Sequence, residues 1–304
     1  MEIRSGYARN DDIEIHYEDL GDINDPPVLL IMGLGAQLVL WHNEFCEKLV
    51  DLGYRVIRYD NRDVGLSSKL DGKRHDGPLV PKLVRALVGL PSKSVYHLKD
   101  MADDAAALLD HLGIERAHVV GASMGGMIAQ IFAARFPQRT CGLGIIFSSN
   151  NSALLMPPAP NALMCLVKGP GPDAPREEIV ENSMRVSRVI GSPGYPRSDE
   201  RLRTDAIEAY ERAYYPQGIA RHFDAALSSG SLRRYDRRIT APTVVIHGKE
   251  DILMRPAGGR AIASAIPGAR LVLFDGMAHD LPDELFDPII TELTTTFAQY
   301  SKHH

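Results

Sequence analysis

Short apolar segments recur along this chain of 304 residues and constrain its fold more than any other feature of the sequence. Each is only a few residues long, is rich in Val, Ile, Leu, Phe or Tyr, and is followed by turn residues. They occupy residues 28–32, 54–59, 117–120, 144–147, 243–246 and 271–274. Strands that are apolar at nearly every position belong to parallel sheets covered by helices on both faces. The pattern therefore predicts a buried parallel sheet.

Helical patterns separate these apolar segments. In residues 98–113, apolar side chains repeat at helical spacing, and Gly113 supplies a stop. Residues 13–20 (IEIHYEDL) alternate between apolar and polar instead, which predicts an antiparallel strand at the sheet edge. The succession of strands and helices predicts an α/β protein with a doubly wound, mostly parallel sheet.

Two stretches interrupt this alternation. Residues 68–97 form a basic insertion, punctuated by Pro and Gly, with one short amphipathic helix. Residues 150–235 are longer and carry helical patterns without a convincing buried strand. Insertions at strand–helix connections leave a sheet intact. We therefore expect a core formed by residues 1–149 and 236–304, with a helical cap at residues 150–235.

The sequence VVGASMGG, residues 119–126, places Ser123 between glycines. It fits G-x-S-x-G, with an apolar strand before the serine and a helix directly after it, as that motif requires. A turn this tight holds the serine in a strained backbone conformation and needs small neighbours. The motif predicts a nucleophilic Ser123 at the N-terminus of a helix, although such a turn could also serve only helix packing.

A serine hydroxyl needs a base, and the base needs an orienting acid. After a serine of this motif the acid comes next along the chain, and the histidine follows it. Asp251 lies just beyond the apolar segment 243–246, and His279 follows the segment 271–274. Because parallel strands gather functional groups at their carboxyl ends, we expect Ser123, Asp251 and His279 to converge.

Alternatives to this acid and base remain open. Asp251 could instead cap the following helix, and Glu250 is the nearest rival acid. His279 could be an ordinary surface histidine. His247 lies inside a predicted strand, so we interpret it as structural.

An oxyanion hole would need two backbone donors. We expect the N–H groups of Met124 and Leu34, because the segment MGLG at 32–35 follows the first buried strand. Residues 33–38 also imitate a dinucleotide motif, but its last glycine is missing, so no cofactor is predicted. The chain has no H-E-x-x-H motif and no Cys/His cluster at ligand spacing, so no metal is predicted either.

Composition narrows the classes of partner. A formal net charge of −5 argues against nucleic acid and anionic membranes as partners. No apolar run reaches the roughly 18 residues of a membrane span, and the first residues carry no signal-peptide pattern. The three widely spaced cysteines favour a reducing compartment over a disulfide framework. These features predict a cytoplasmic location, and they leave the oligomeric state undetermined.

Together these motifs resemble the α/β-hydrolase superfamily over essentially the whole core. Within it, the chain is similar to bacterial carboxylesterases related to aclacinomycin methylesterase, which also carry M-G in the oxyanion loop and a D-x-R-D-x-G-x-S stretch, here residues 60–67. Met32 replaces a histidine found in many relatives, and Asp63 replaces a common glycine. Neither change removes a backbone donor.

The resemblance implies a serine hydrolase that cleaves carboxylic esters of hydrophobic acyl or aromatic groups through an acyl-enzyme, with a small-molecule ester as its partner. Apolar cap residues could line the acyl pocket or form the core of the cap; Leu154, Met156 and Met164 are the candidate lining residues. A carbon–carbon bond hydrolase, a thioesterase or a perhydrolase would use the same triad. A non-catalytic ligand receptor on this fold is a further alternative.

Overall fold

The computed structural model describes residues 3–73, 79–153, 155–167 and 169–301. Within this part of the chain, eight strands form one sheet, with the spatial order β1-β2-β4-β3-β5-β6-β7-β8. The strands are β1 (Ile3–Asn10), β2 (Ile13–Leu20), β3 (Pro27–Ile31), β4 (Arg55–Tyr59), β5 (Ala117–Ala122), β6 (Thr140–Ile146), β7 (Thr243–Gly248) and β8 (Arg270–Phe274). The six strands from β3 to β8 pair in parallel, as their apolar sequences predict.

One position in the sheet differs from the prediction. Strand β2 is antiparallel as expected, but it is not at the edge, because β1 pairs along its whole length and β2 also pairs with β4. The sequence of β1 gives little sign of a strand, since Ala8 is its one buried residue. The edge strand is therefore one that faces solvent along most of its length.

The α-helices of the described chain lie between and after these strands. They are α1 (Asn43–Asp51), α2 (Leu79–Leu87), α3 (Leu98–His111), α4 (Met124–Arg135), α5 (Pro160–Val167), α6 (Arg176–Ile190), α7 (Asp199–Ala213), α8 (Pro216–Ser228), α9 (Arg233–Asp236), α10 (Pro256–Ala265) and α11 (Phe286–Ser301). Alternate strand residues face opposite layers: Val119 packs in the cluster with α3 and α4, and Val120 packs in the cluster with α1 and α11. Burial of both faces explains the continuously apolar strands.

Between β6 and β7 the described residues form helices α5 to α9 and no strand. This cap segment (residues 150–235) has a small apolar cluster of its own, between α6 and α7. The predicted boundary at 235 falls inside α9, which packs against α4 and α10 of the core. The division of the chain into core and cap remains an interpretation.

The insertion at 68–97 contains α2, and residues 74–78 lie outside the described chain. Helix α2 contacts α8 of the cap segment and leaves Val80, Val84 and Leu87 exposed. Among the described residues, no helix combines the length and apolarity needed to cross a bilayer. The same residues contain no group of three His, Cys, Asp or Glu side chains placed to hold a metal ion.

Candidate active site

The turn that carries the candidate nucleophile Ser123 joins β5 to α4, and we call residues 121–126 the nucleophile turn. Ser123 has φ 56° and ψ −122°, a conformation that side-chain-bearing residues rarely adopt. A Cβ at Gly121 would lie 2.2 Å from the carbonyl oxygen of Gly125, and a Cβ at Gly125 would lie 2.0 Å from that of Ile31. A side chain at either position would therefore force the surrounding backbone to shift. The Ser123 N–H donates to the carbonyl of Ile146 on the adjacent strand β6 at 2.9 Å, which ties the turn to the sheet.

The Ser123 hydroxyl meets an imidazole at the carboxyl edge of the sheet. Its Oγ lies 2.9 Å from Nε2 of His279, and Nδ1 of His279 lies 2.8 Å from Oδ2 of Asp251. A carboxylate only accepts, so Nδ1 carries the proton and Nε2 accepts from the serine hydroxyl. His279 is nearly buried, and the ring of Phe147 lies against it at 4.7 Å between centroids. The structure thus brings together the three side chains nominated from the sequence.

Asp251 is held by the backbone that follows it. Its Oδ1 accepts from the N–H groups of Leu253 and Met254, both at 2.8 Å, while Oδ2 faces His279. Burial raises the pKa of Asp251, but attraction to His279 and hydrogen bonds from His247 and His279 outweigh burial and hold the pKa well below its ordinary value. The group therefore stays ionised beside the imidazole.

The neighbours of Asp251 separate the alternatives geometrically. Glu250 is exposed, whereas Asp251 contacts the imidazole. His247 is buried in β7, with Nε2 3.4 Å from Oδ2 of Asp251 and in contact with the carbonyl of Met254. Its position inside a predicted strand did not indicate contact with the acid. Because α10 packs closely behind it, a Cβ at Gly259 would lie 2.6 Å from its ring.

The oxyanion loop (residues 33–36) follows β3 and lies against the serine. A Cβ at Gly33 would be 3.1 Å from Cβ and 3.5 Å from Oγ of Ser123. Within the described residues, the N–H groups of Leu34 and Met124 donate to no acceptor. Backbone donors of this kind beside a nucleophile are what an oxyanion requires.

Comparisons with known proteins identify the family of the chain. Residues 26–158 match the family described as alpha/beta hydrolase fold. The chain is 30% identical over 298 residues to rhodomycin D methylesterase DnrP from Streptomyces peucetius, covering 92% of this chain and 93% of the relative. The chain belongs to the α/β-hydrolase superfamily.

Other similar proteins carry different activities. A 2-hydroxy-6-oxononadienedioate/2-hydroxy-6-oxononatrienedioate hydrolase from Cupriavidus pinatubonensis is 26% identical to this hydrolase, over 88% of this chain and 85% of its own. The crystal structure of the enol-lactonase from Burkholderia xenovorans LB400 superposes with a TM-score of 0.72, at 24% identity over 96% of this chain and 100% of that chain. The fold is thus shared across more than one chemistry.

In this hydrolase the cap segment holds the histidine loop (residues 275–280), which sequence reasoning did not foresee. The His279 N–H donates to the carbonyl of Ile190 at 3.0 Å, and the Gly194 N–H donates to that of Gly276 at 2.9 Å. Between these bonds, Ser192 Oγ accepts from the Ala278 N–H at 2.8 Å and donates to the carboxylate of Asp280. No short motif marks these partners, because their meeting depends on how the cap folds back.

The 60–67 loop supports the cap through buried charge. Arg212 on α7 lies 2.7 Å from the Asp60 carboxylate, and Arg221 on α8 makes two hydrogen bonds to Asp63, at 2.8 and 2.9 Å. Burial raises the pKa of Asp63, but the hydrogen bond from Arg221 and others outweigh it and lower the pKa overall. Asp63, one of the departures from the usual family sequence, therefore has a partner in the cap.

The structure describes two of the three expected pocket residues, Met156 and Met164. Leu154 lies outside the described residues. Met156 is 63% exposed and Met164 is 51% exposed. On α5 it is Ala162 and Cys165 that face inward, and Met164 lies on the opposite side of the helix. A pocket role for these residues remains a prediction.

Proposed function

We propose that this hydrolase cleaves carboxylic esters through an acyl-enzyme, with Ser123 as nucleophile, His279 as general base and acid, and Asp251 as the group that orients His279. The observation that carries the proposal is the continuous pair of contacts, 2.9 Å from Ser123 Oγ to His279 and 2.8 Å from His279 to Asp251. The strained backbone at Ser123 supports it, since strain of this kind concentrates at functional sites.

The first half-reaction forms the acyl-enzyme. Nε2 of His279 takes the hydroxyl proton while Oγ of Ser123 attacks the ester carbonyl carbon. The carbonyl oxygen becomes an oxyanion, which the N–H groups of Leu34 and Met124 stabilise. The protonated His279 then gives its proton to the alkoxide oxygen as the C–O bond breaks, and the alcohol leaves.

The second half-reaction returns the serine. Nε2 of His279 takes a proton from water, whose oxygen attacks the acyl carbon and forms a second oxyanion in the same place. Collapse of this intermediate breaks the bond to Ser123 Oγ, which regains its proton from His279, and the carboxylic acid leaves. Asp251 keeps Nδ1 protonated throughout, because its lowered pKa keeps the carboxylate charged.

We infer that the substrate is a hydrophobic acyl or aromatic ester, with methyl esters first among the candidates. The similarity to rhodomycin D methylesterases over nine-tenths of the chain supports the methyl ester. The cap segment would supply the acyl pocket, with Leu154, Met156 and Met164 as its proposed apolar walls.

A carbon–carbon bond hydrolase is the second candidate, because relatives with that activity are 26% identical to this chain. Thioesterase and perhydrolase chemistry would use the same three side chains. These activities share the same three side chains, so only a comparison of substrates can distinguish them.

The deciding experiment measures turnover of methyl esters, nitrophenyl esters of increasing acyl length, a thioester and a vinylogous diketone. Ser123→Ala should lower kcat for the preferred ester by roughly four to six orders of magnitude. The matched control is Ser264→Ala, which changes an exposed serine on α10 and should leave kcat within about twofold.

Labelling by a fluorophosphonate tests the nucleophile independently of the substrate. Mass spectrometry should place the phosphonyl group on Ser123 and nowhere else. Near-normal turnover by Ser123→Ala would end the proposal, and folded wild-type protein that takes no label would favour a non-catalytic receptor.

A further inference from the structure

His222 connects the cap segment to the oxyanion loop. It lies on α8 and is fully buried. Its Nδ1 is 3.1 Å from the backbone nitrogen of Gly35, the residue directly after Leu34. Its Nε2 is 2.6 Å from the carbonyl oxygen of Arg62, in the 60–67 loop. One imidazole therefore spans two loops of the core.

The partners of His222 determine its protonation. The Arg62 carbonyl can only accept, so Nε2 carries a proton; the Gly35 N–H can only donate, so Nδ1 presents its lone pair. Burial lowers the pKa of His222 to about 4, which keeps the ring neutral. The bond from the Gly35 N–H needs this neutral form, because a protonated Nδ1 has no lone pair to accept it.

The oxyanion loop is a four-residue β-turn closed by one backbone hydrogen bond. The Ala36 N–H donates to the Gly33 carbonyl at 3.3 Å, with Leu34 and Gly35 as the central residues. Gly35 has φ 67°, as the third residue of a type II turn requires. Turns of types I and II differ mainly in the orientation of the central peptide, here the Leu34–Gly35 peptide. An acceptor on the Gly35 N–H fixes that orientation. The central peptide shares the Cα of Leu34 with the Gly33–Leu34 peptide, so fixing the first restrains the second, which carries the Leu34 N–H.

Helix α8 is itself held firmly enough to serve as a support. Ile219, one turn before His222, packs on the loop, because a Cβ at Gly35 would lie 2.8 Å from its side chain. A Cβ at Gly218 would lie 1.8 Å from the carbonyl oxygen of Asp63, and Arg221 binds the Asp63 carboxylate. The helix is therefore in close contact with both loops that His222 joins.

We propose that His222 is a positioning residue, which holds the turn so that the Leu34 N–H points at the developing oxyanion. The inference rests on the proposed function, since the Leu34 N–H has this role only if Ser123 forms an oxyanion. His222 touches no reacting atom. In this role it makes the cap segment a part of the proposed catalytic machinery.

Substitutions at His222 can separate its two hydrogen bonds. Asn places its amide oxygen near the position of Nδ1 and can still accept from Gly35. Gln reaches the position of Nε2 and can still donate to Arg62, but leaves the Gly35 N–H without its acceptor. Leu removes both bonds at similar volume. The expected order of kcat is wild type, then His222→Asn, then His222→Gln and His222→Leu.

We expect kcat to fall about 10- to 100-fold in His222→Leu and His222→Gln, with KM within about threefold of wild type, because a misplaced donor weakens the transition state and not substrate binding. His222→Asn should stay within about threefold in kcat. Affinity for an alkyl trifluoromethyl ketone, to which Ser123 adds to give a tetrahedral hemiketal oxyanion, should fall in parallel with kcat/KM.

Ser229→Ala is the matched control. Ser229 follows α8 and accepts from the Leu98 N–H at 3.1 Å, so this variant also loses a bond between the cap segment and a backbone N–H of the core. It should keep kcat within about twofold. A loss in Ser229→Ala equal to that in His222→Leu would assign the effect to cap docking in general and overturn the proposal.

Three further results would overturn it: unchanged kcat in His222→Leu, a loss in His222→Asn equal to that in His222→Gln, or a loss carried by KM. If His222→Leu fails to fold, the comparison of the Asn and Gln variants decides. Ser123→Ala is assayed alongside, and activity in that variant would refute the proposed function itself.

Discussion

The nucleophile turn and the histidine loop deliver the two groups that meet at 2.9 Å, but they are stabilised in different ways. The turn depends on its own glycines and on the sheet: Gly125 packs on the carbonyl of Ile31, and the Ser123 N–H bonds to Ile146. The loop depends on a segment far away in the chain, because Ile190, Ser192 and Gly194 bond to residues 276–280.

This difference separates two ways of holding the proposed catalytic groups. A turn built from neighbouring residues is present whenever the sheet is formed. A loop held by the cap has its geometry only when the cap is folded and seated. The first is a property of the core, and the second is a property of the core and cap together.

In this comparison, the largest effect is expected from removing the charge that orients His279. Asp251→Asn keeps the size of the side chain but removes the charge, so the imidazole loses its preference for the tautomer that accepts from Ser123. We expect kcat to fall by roughly 10⁴-fold, measured with the preferred ester. Glu250→Gln, at the exposed neighbour, is the control and should change kcat less than about twofold. An active Asp251→Asn would remove Asp251 from the mechanism.

The second largest effect is expected from a substitution within the nucleophile turn. In Gly125→Ala the added Cβ would lie 2.0 Å from the Ile31 carbonyl oxygen, so α4 or β3 must shift. A shift of about 1 Å at Ser123 should lower kcat by roughly 10²-fold or more. Gly171→Ala, in open space in the cap segment, should leave kcat and Tm unchanged. Full activity in Gly125→Ala would show that the turn tolerates what its packing forbids.

A smaller effect sharpens the comparison. Ser192→Ala removes the acceptor of the Ala278 N–H and the hydroxyl that donates to the Asp280 carboxylate. We expect kcat to fall about tenfold at unchanged KM, because the histidine loop loosens while the nucleophile turn stays intact.

The control for this variant is Ser198→Ala, which removes the N-cap of α7 in the same cap segment. It should lower stability by about 1 kcal/mol without changing kcat. Equal kinetic losses in the two variants would mean that the cap acts as a whole and not through Ser192.

The smallest effect concerns acid stability. The pKa of Asp251 is held below its ordinary value, so its carboxylate contributes stability that is present above about pH 4 and is lost as the pH falls further. The free energy of unfolding, measured in urea between pH 2 and 6, should fall less steeply with decreasing pH in Asp251→Asn than in wild type. The control is Asp275→Asn, which changes an exposed residue paired with Lys249. Its free energy of unfolding should depend on pH as in wild type. A wild-type dependence of the unfolding free energy on pH in Asp251→Asn would contradict the lowered pKa of Asp251.

What the sequence could predict follows the same division. The parallel sheet was predictable because burial on both faces leaves an apolar record in each strand, and a strand such as β1, which faces solvent, leaves almost none. Ser123, Asp251 and His279 could be nominated because each lies at a strand end, within a few residues of a recognisable apolar segment. Their catalytic roles remain a proposal.

Contacts that join distant parts of the chain could not be predicted in this way. His222 and Ser192 sit on helices or connections whose local sequence is ordinary, and their partners are set by the packing of the cap. The exposed side of α5 shows the same limit: the apolar sequence around Met164 did not reveal which side of the helix would be buried.

The hydrogen bonds between residues 190–194 and the histidine loop have a consequence for exchanging caps among related enzymes. A chimera cut at residues 150 and 235 would exchange the proposed acyl pocket. It would also discard Ile190, Ser192 and Gly194, the three residues that bond to the histidine loop. Such a chimera would have a lower kcat, unless the donor cap supplies equivalent contacts or the recipient keeps its own residues 190–194. A cap exchange should therefore leave residues 190–194 of the recipient in place.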